Sequence, residues 1–296
     1  MPVDKAARRR GVLLVLLATV LWSLAGWFAR LIDDIDLWTV LAGRAFFGGL
    51  CISVWGIVEW RRGTLGPRFG LGPSAPLIIP LSSIAITSYV AAIKTTTIAD
   101  VLVIYATLPF VAAGLAFLIT GERASRRTVI AAGVAMCGVA IMVAGGLGGG
   151  RLPGQALSML MTVAFGLMVV LQRRSPGMSM TTVNTIGALT ASAFAFHFSP
   201  LPSLSGYDVI ILFLFGLTTI CLGFVIFMEG AKLIPSAEAG LISMLDVVLG
   251  PLWVFLAFGE RPGAPAIVGG VVVVAAVLWR VAPELSRATA RVDARA

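Results

Sequence analysis

The sequence predicts an all-α membrane protein of ten spanning helices, in two inverted five-helix halves with both chain ends in the cytoplasm. Three observations lead there. First, 58% of the 296 residues are hydrophobic and only 12% are charged, about half the charged share of a soluble domain, and the mean hydropathy is +0.99. So little polar surface cannot cover such a core in water, which excludes a soluble enzyme or binding domain. Second, the apolar residues come in long runs rather than strict alternation, which excludes an outer-membrane barrel. Third, a polar motif recurs at one fixed offset.

Runs of about 20 apolar residues fall at 11–31, 37–58, 75–95, 98–119, 127–146, 154–172, 180–199, 208–231, 236–258 and 264–282. The first follows Lys5 and Arg8-Arg9-Arg10 and is long enough to span and remain, so no cleavable signal is read. Asp33, Asp34 and Asp36 form a short turn that caps the second. Arg61, Arg62 and Arg68 precede the third, and Lys94-Thr95-Thr96-Thr97 is the only polar break before the fourth. Gly121-Glu122-Arg123 ends the fourth. Residues 145–150, five glycines and a leucine, follow the fifth. Arg173 and Arg174 end the sixth, Pro200 ends the seventh beside the interfacial His197, and Lys232 to Ser236 divides the eighth from the ninth. With the N-terminus inside, most lysines and arginines gather on the cytoplasmic side. The outer side holds Arg30, Lys94, Arg151 and Arg261, and Arg44 lies within a span. The net charge of +8 and pI near 10.2 therefore set topology, and no nucleic-acid partner is expected.

Phe117-Leu118 with Gly121-Glu122-Arg123 recurs as Phe255-Leu256 with Gly259-Glu260-Arg261, 138 residues on; at the same offset Lys94 meets Lys232 and Asp100 meets Glu238. Two units follow, 1–148 and 149–296. Because each holds an odd number of spans, the second enters the membrane from the opposite side. That is the architecture of many secondary transporters, with substrate held near the midplane.

Leu21-Trp22-Ser23 in the first helix, Arg44 in the second, and Gly-Glu after the fourth helix of each half resemble the drug/metabolite transporter superfamily, closest to bacterial EamA-type metabolite exporters. The resemblance implies a central cavity lined by helices one to four and six to nine, with the fifth and tenth as peripheral supports. It implies export of small metabolites, often amino acids and including aromatic ones. Tyr105, four residues before Pro109, resembles that family's aromatic cavity helix. Leu160 and Thr182 stand where the 138 offset puts the counterparts of Trp22 and Arg44, so an asymmetric pocket is expected.

An ionisable group at mid-bilayer depth costs about 2.5–3.5 kcal/mol and needs a reason. Arg44 lies about 10 Å from one boundary and Asp246 about 15 Å from the other, at 1.5 Å per residue, so they differ in depth by about 5 Å in a core about 30 Å thick. Arg44 holds a substrate carboxylate, pairs with Asp246, or caps a neighbouring helix; Asp246 is also the candidate proton carrier. Tyr89, Tyr105, Trp22, Phe165, Phe224 and Asn184 complete the expected substrate-binding set, and Pro109 and Pro251 are the expected gating kinks. Asp100, Glu122, Glu238 and Glu260 are expected to be structural, and Glu229 and Lys232 to pair. Ala131, Gly133, Ala135 and Cys137 form a small-residue packing face.

The three cysteines, Cys51, Cys137 and Cys221, are scattered inside apolar runs, so neither a disulfide nor a metal set is expected, and no cofactor. A membrane enzyme would need clustered acids, histidines or a metal set at membrane depth, whereas the one acid cluster, Asp33, Asp34 and Asp36, lies in an outer turn; a channel would show a filter ring or pore loop, and none is read. The expected chain is a multi-pass protein of the cytoplasmic membrane, monomer or weak homodimer, whose partners are a small-molecule substrate and the bilayer. Efflux of cationic or amphipathic drugs is the alternative.

Overall fold

The computed structural model describes residues 5–32, 34–63, 70–96, 98–144, 152–175, 178–200, 204–259 and 263–292. Asp33, Arg68, Thr97, the 145–150 stretch, Arg151, Glu260 and Arg261 lie outside them, as do the side chains of Lys94 and Asp100. The described chain is helical throughout: α1 Lys5–Ser23, α2 Ala25–Leu31, α3 Leu37–Arg61, α4 Ala75–Thr95, α5 Ile98–Tyr105, α6 Leu108–Thr120, α7 Arg126–Val143, α8 Leu152–Arg174, α9 Met180–Phe198 and α10 Gly206–Phe215. A π-helical segment, Gly216–Gly223, leads into α11 Phe224–Ala231, followed by α12 Ser236–Ser243, α13 Leu245–Phe258 and α14 Ala264–Val292.

Among the described residues, seven stretches are long and apolar enough to cross a membrane by length and composition: 6–31, 37–61, 101–120, 152–171, 206–231, 236–258 and 264–282. The remaining helices are α4, whose Ala75–Tyr89 is a shorter apolar stretch, α7 and α9. Local chemistry sets the starts. Asp36 accepts from the backbone N–H of Trp38 and Thr39, Ser125 and Ser179 cap α7 and α9, and Ser205 with Asp208 forms a capping box on α10. Gly121 and Gly259 end α6 and α13 with φ of 72° and 71°, a left-handed conformation that a side chain would strain.

Several expected continuous spans are broken. The first breaks at Leu24, the fourth at Ala106-Thr107, and the ninth at Met244, which stands 138 residues after Ala106. The eighth widens into the π segment, and at the 138 offset its middle corresponds to Pro80, the proline inside α4. Both third helices of the halves are thus irregular at one level.

The packing exchanges halves. α4 packs on α8 as α11 does on α1; α6 packs on α8 as α13 does on α1; α4 packs on α9 as the π segment does on α3. α3 meets α9, α6 meets α12, and α7 meets α14. Close approaches give the register. A Cβ on Gly11 would lie 2.7 Å from Leu233, and one on Gly154 would lie 2.8 Å from Thr95, which stands 138 residues before Leu233. Gly11 and Gly154 are therefore equivalent, at an offset of 143, and Phe165 rather than Leu160 is the counterpart of Trp22. Gly48 against Ile220 repeats as Gly187 against Ser82, an offset of 139 that puts Val183 rather than Thr182 opposite Arg44.

The small-residue face also differs from expectation. Ala131 and Ala135 are buried, and Gly138 touches Gly269 of α14 in the same chain, whereas Cys137 is exposed and Gly133 meets nothing within 4 Å. Residues 131, 135 and 138 follow one stripe of a 3.6-residue helix, and 133 and 137 another.

Candidate functional site

The interior of this helical array brings together charged and aromatic side chains from both halves. Arg44 is half-buried on α3. Its guanidinium lies 4.9 Å from the centre of the Phe215 ring, and its buried Nε has no hydrogen-bond partner among the described residues. Tyr89 on α4 is close enough to both Arg44 and Asp246 to feel their charges. Asp246 opens α13 immediately after the break at Met244. Its carboxylate neighbours the Val247 N–H, and its buried Oδ1 has no hydrogen-bond partner among the described residues. Tyr105 ends α5 at the matching break and donates to Ser243 Oγ at 3.5 Å; it too lies near Asp246 and Tyr89. Tyr105 and Ser243 stand 138 residues apart, so the bond crosses between equivalent positions of the two halves.

The broken helices explain this gathering. A continuous α-helix hides its polar backbone, while a break at membrane depth is tolerated only where protein or a wet cavity re-satisfies the freed groups. Both fourth-segment breaks face each other, and the polar residues Tyr105, Ser243 and Asp246 cluster there. The π segment is served in the same way. Thr219 Oγ1 donates to the Phe215 carbonyl at 2.7 Å, and Trp22 Nε1 donates to the Thr219 carbonyl at 2.9 Å.

Trp22 is also the hub of an aromatic cluster, with Phe165, Phe224 and Phe227 at ring-centre distances of 5.9, 6.1 and 4.7 Å. Trp22, Tyr105 and Phe224 pack on one shared core. Asn184 does not join Arg44. α3 and α9 run antiparallel, Ser192 Oγ donating to the Ala42 carbonyl and Thr181 Oγ1 to Glu59. Asn184 is eight residues from Ser192 along α9, about 12 Å. It is nonetheless 4% exposed with an unpartnered Nδ2, next to an unpartnered Thr185 hydroxyl. Pro109 begins α6 just past its break, where proline is favoured. Pro251 lies inside α13, seven residues beyond the break at Met244.

The polar end of the array departs most from expectation. Arg8 and Arg280, read from sequence as topology charges, both bind Glu238 Oε2, at 2.7 and 2.9 Å. Glu238 is fully buried and Arg280 is 6% exposed, and Arg280 Nε also donates to Thr128 at 2.9 Å. Glu238 does sit in the first turn of α12, as expected of a structural acid, but it also joins α1 to α14. Glu122 accepts from the Ser236 N–H at 3.3 Å, and Glu229 pairs with Lys232 at 2.6 Å. Ser243 was legible as the 138-residue partner of Tyr105; Phe215, Phe227 and Thr219 carry no sequence signal that separates them from other lipid-facing or packed residues.

Paired halves, broken helices that meet in the interior, and unpartnered charges beside them define the class of a two-repeat membrane transporter. The EamA-like transporter family matches residues 9–144 and again 152–281. The chain belongs to that family. It is 26% identical over 255 residues, 82% of this chain and 84% of the relative, to the uncharacterized transporter YojE of Bacillus subtilis (strain 168). A solved crystal structure that covers 93% of this chain and 98% of its own superposes with a TM-score of 0.78 at 18% identity, a likeness of fold.

Proposed function

We propose that the chain exports small amino-acid-like metabolites across the cytoplasmic membrane by alternating access between its two halves. In this reading the helical stretches make ten spans, both ends lie in the cytoplasm, and units 1–148 and 149–296 face opposite ways. The antiparallel and parallel registers support the inversion: α1 runs against α11, α11 continues the π segment that lies along α3, α3 runs against α9, and α4 runs along α9 but against α8. Those relations make α1 antiparallel to its counterpart α8. Export is the direction that the resemblance to EamA-type exporters implies.

One observation carries the substrate class: Arg44 and Asp246, opposite in charge, each keep a buried atom without a partner among the described residues, and the charges of both reach Tyr89. A zwitterion satisfies both at once, its carboxylate on Arg44 and its ammonium near Asp246, with Tyr89 between. The aromatic cluster around Trp22, together with Tyr105, supplies apolar surface for a side chain. An isolated cationic drug leaves Arg44 without an anion and adds a like charge, which disfavours the efflux alternative.

The test is counterflow of a labelled amino-acid panel in proteoliposomes. Wild type is expected to exchange at least one neutral amino acid, and Arg44→Ala and Asp246→Asn to lose at least tenfold in transport efficiency. Unchanged flux in both variants removes the site assignment, and no transport of any panel member removes the substrate class.

A further inference from the structure

Arg44 is a cation at membrane depth that makes no ion pair among the described residues. Such a group usually sits against an acid. Here an aromatic ring takes that place. The guanidinium lies over Phe215, 4.9 Å from its centre, within the range of a cation–π contact. Phe215 is 3% exposed and stacks on Phe28 at 5.3 Å with an interplanar angle of 14°. Phe28 is equally buried and meets Trp27 edge-on at 4.9 Å. The backbone is held as well. Gly216, the next residue, lies against Arg44 and Gly48, where a Cβ would come 2.6 Å from the Gly48 nitrogen. The ring and the guanidinium therefore spring from two backbones in direct contact, at the point where α10 enters the π segment.

We propose that Phe215 is the positioning residue of the anion subsite. In this role its ring, 4.9 Å from the guanidinium carbon, stabilises the charge without an acid and leaves the N–H donors to a carboxylate. The chemistry separates the two ways of stabilising a buried arginine. A carboxylate partner from the protein occupies the same edge that a substrate would use, because guanidinium and carboxylate bind fork to fork. A ring quadrupole stabilises the charge through the face and consumes no N–H. Only the second arrangement keeps the arginine charged, ordered and vacant. The planar group also makes arginine specific here, since an ammonium presents neither the flat face nor the paired edge. The inference rests on the reading of Arg44 as the carboxylate site.

The experiment is a double-mutant cycle of Phe215→Leu and Arg44→Lys in the full-length chain, read in two ways. Counterflow of a neutral amino acid that wild type transports gives KM and Vmax. Phe215→Leu, which keeps most of the side-chain volume, is expected to raise KM about tenfold with Vmax within about twofold, and Phe215→Trp to keep the wild-type KM, because indole is the stronger cation partner. Arg44→Lys is expected to cost less in the Phe215→Leu background than in wild type. Thermal melts of the same four proteins without substrate are expected to show the same non-additivity. Additive melts overturn the proposal even if no substrate is found. Loss of transport in Arg44→Ala with an unchanged KM in Phe215→Leu overturns it while sparing the Arg44 assignment. No effect of Arg44→Ala removes the reading beneath it.

Discussion

Trp22 does two jobs with one side chain. Its ring sits among Phe165, Phe224 and Phe227, and its indole N–H holds the Thr219 carbonyl inside the π segment. The jobs can be separated. Trp22→Phe keeps an aromatic ring but removes the donor, leaving a carbonyl in apolar surroundings, at a cost of about 1 kcal/mol. Trp22→Ala removes the ring as well and is expected to cost about 3–5 kcal/mol. Melting temperatures in detergent are expected to fall by a few degrees for Trp22→Phe and far more for Trp22→Ala. Equal, small shifts in both would place Trp22 outside the packed interior. The equivalent position in the second half, Phe165, lacks a donor, and Phe165 lies 5.9 Å from Trp22 itself. The two halves thus meet at this point with the same shape and different chemistry.

Close backbone contact between α3 and the π segment sets the next scale. A Cβ on Gly216 would strike the Arg44 carbonyl and come 2.6 Å from the Gly48 nitrogen, and backbone cannot yield as a flexible side chain can. Gly216→Ala is therefore expected to push Arg44 away from Phe215 and to lower the monodisperse yield severalfold. Gly114→Ala, at a position with nothing within 4 Å, is expected to leave yield unchanged. Size-exclusion profiles of the two variants decide, and equal yields would contradict the observed crossing. The π segment also marks how far the sequence could be read. Long apolar runs revealed most helices, and Asp36 and Gly121 announced a cap and a stop, because those signals are local. The breaks at Leu24 and Met244 were silent, since the single serine before each, Ser23 and Ser243, does not by itself stop an apolar helix and only tertiary partners stabilise the breaks. Arg44 and Asp246 stood out because charge in lipid is rare, whereas Phe215 was one more phenylalanine among many. The counterpart of Trp22 was misplaced for a related reason. The offset is 143 at Gly11 and Gly154 but 139 at Gly48 and Gly187, so the first half is longer between its first two helices, where α2 lies. No polar landmark reveals that insertion.

At the scale of the whole molecule, one seam carries polar ties at both ends. α1 lies parallel to α12 and α13, Arg8 binding Glu238 and Ser23 accepting from Trp253 Nε1 at 2.8 Å, each pair 230 residues apart. Fifteen residues of α1 separate the ties, about 22 Å along the helix, so they sit near opposite faces of the bundle. The equivalent seam of α8 and α6 has Leu115 against Gly166 in place of Trp253 and Ser23, a contact with no hydrogen bond. The Arg280 tie is equally one-sided, because Met142 stands at the corresponding position of α7. In an alternating-access cycle the two ends of a seam open in turn, so weakening one tie favours the state in which that end is open. Glu238→Gln leaves the buried Arg280 and the half-buried Arg8 guanidinium groups sharing a neutral amide and is expected to favour opening at the Arg8 end. Trp253→Phe removes the other donor and is expected to favour opening at the Ser23 end. The readout is the labelling rate of single cysteines placed near each end of α1 in proteoliposomes, in a background without the native cysteines. Opposite shifts of at least threefold in the ratio of the two rates are expected, and they require no knowledge of the substrate. The same shift in both variants, or none in either, would mean that the seam between α1 and α13 stays closed during transport and that access changes along α6 and α8 instead.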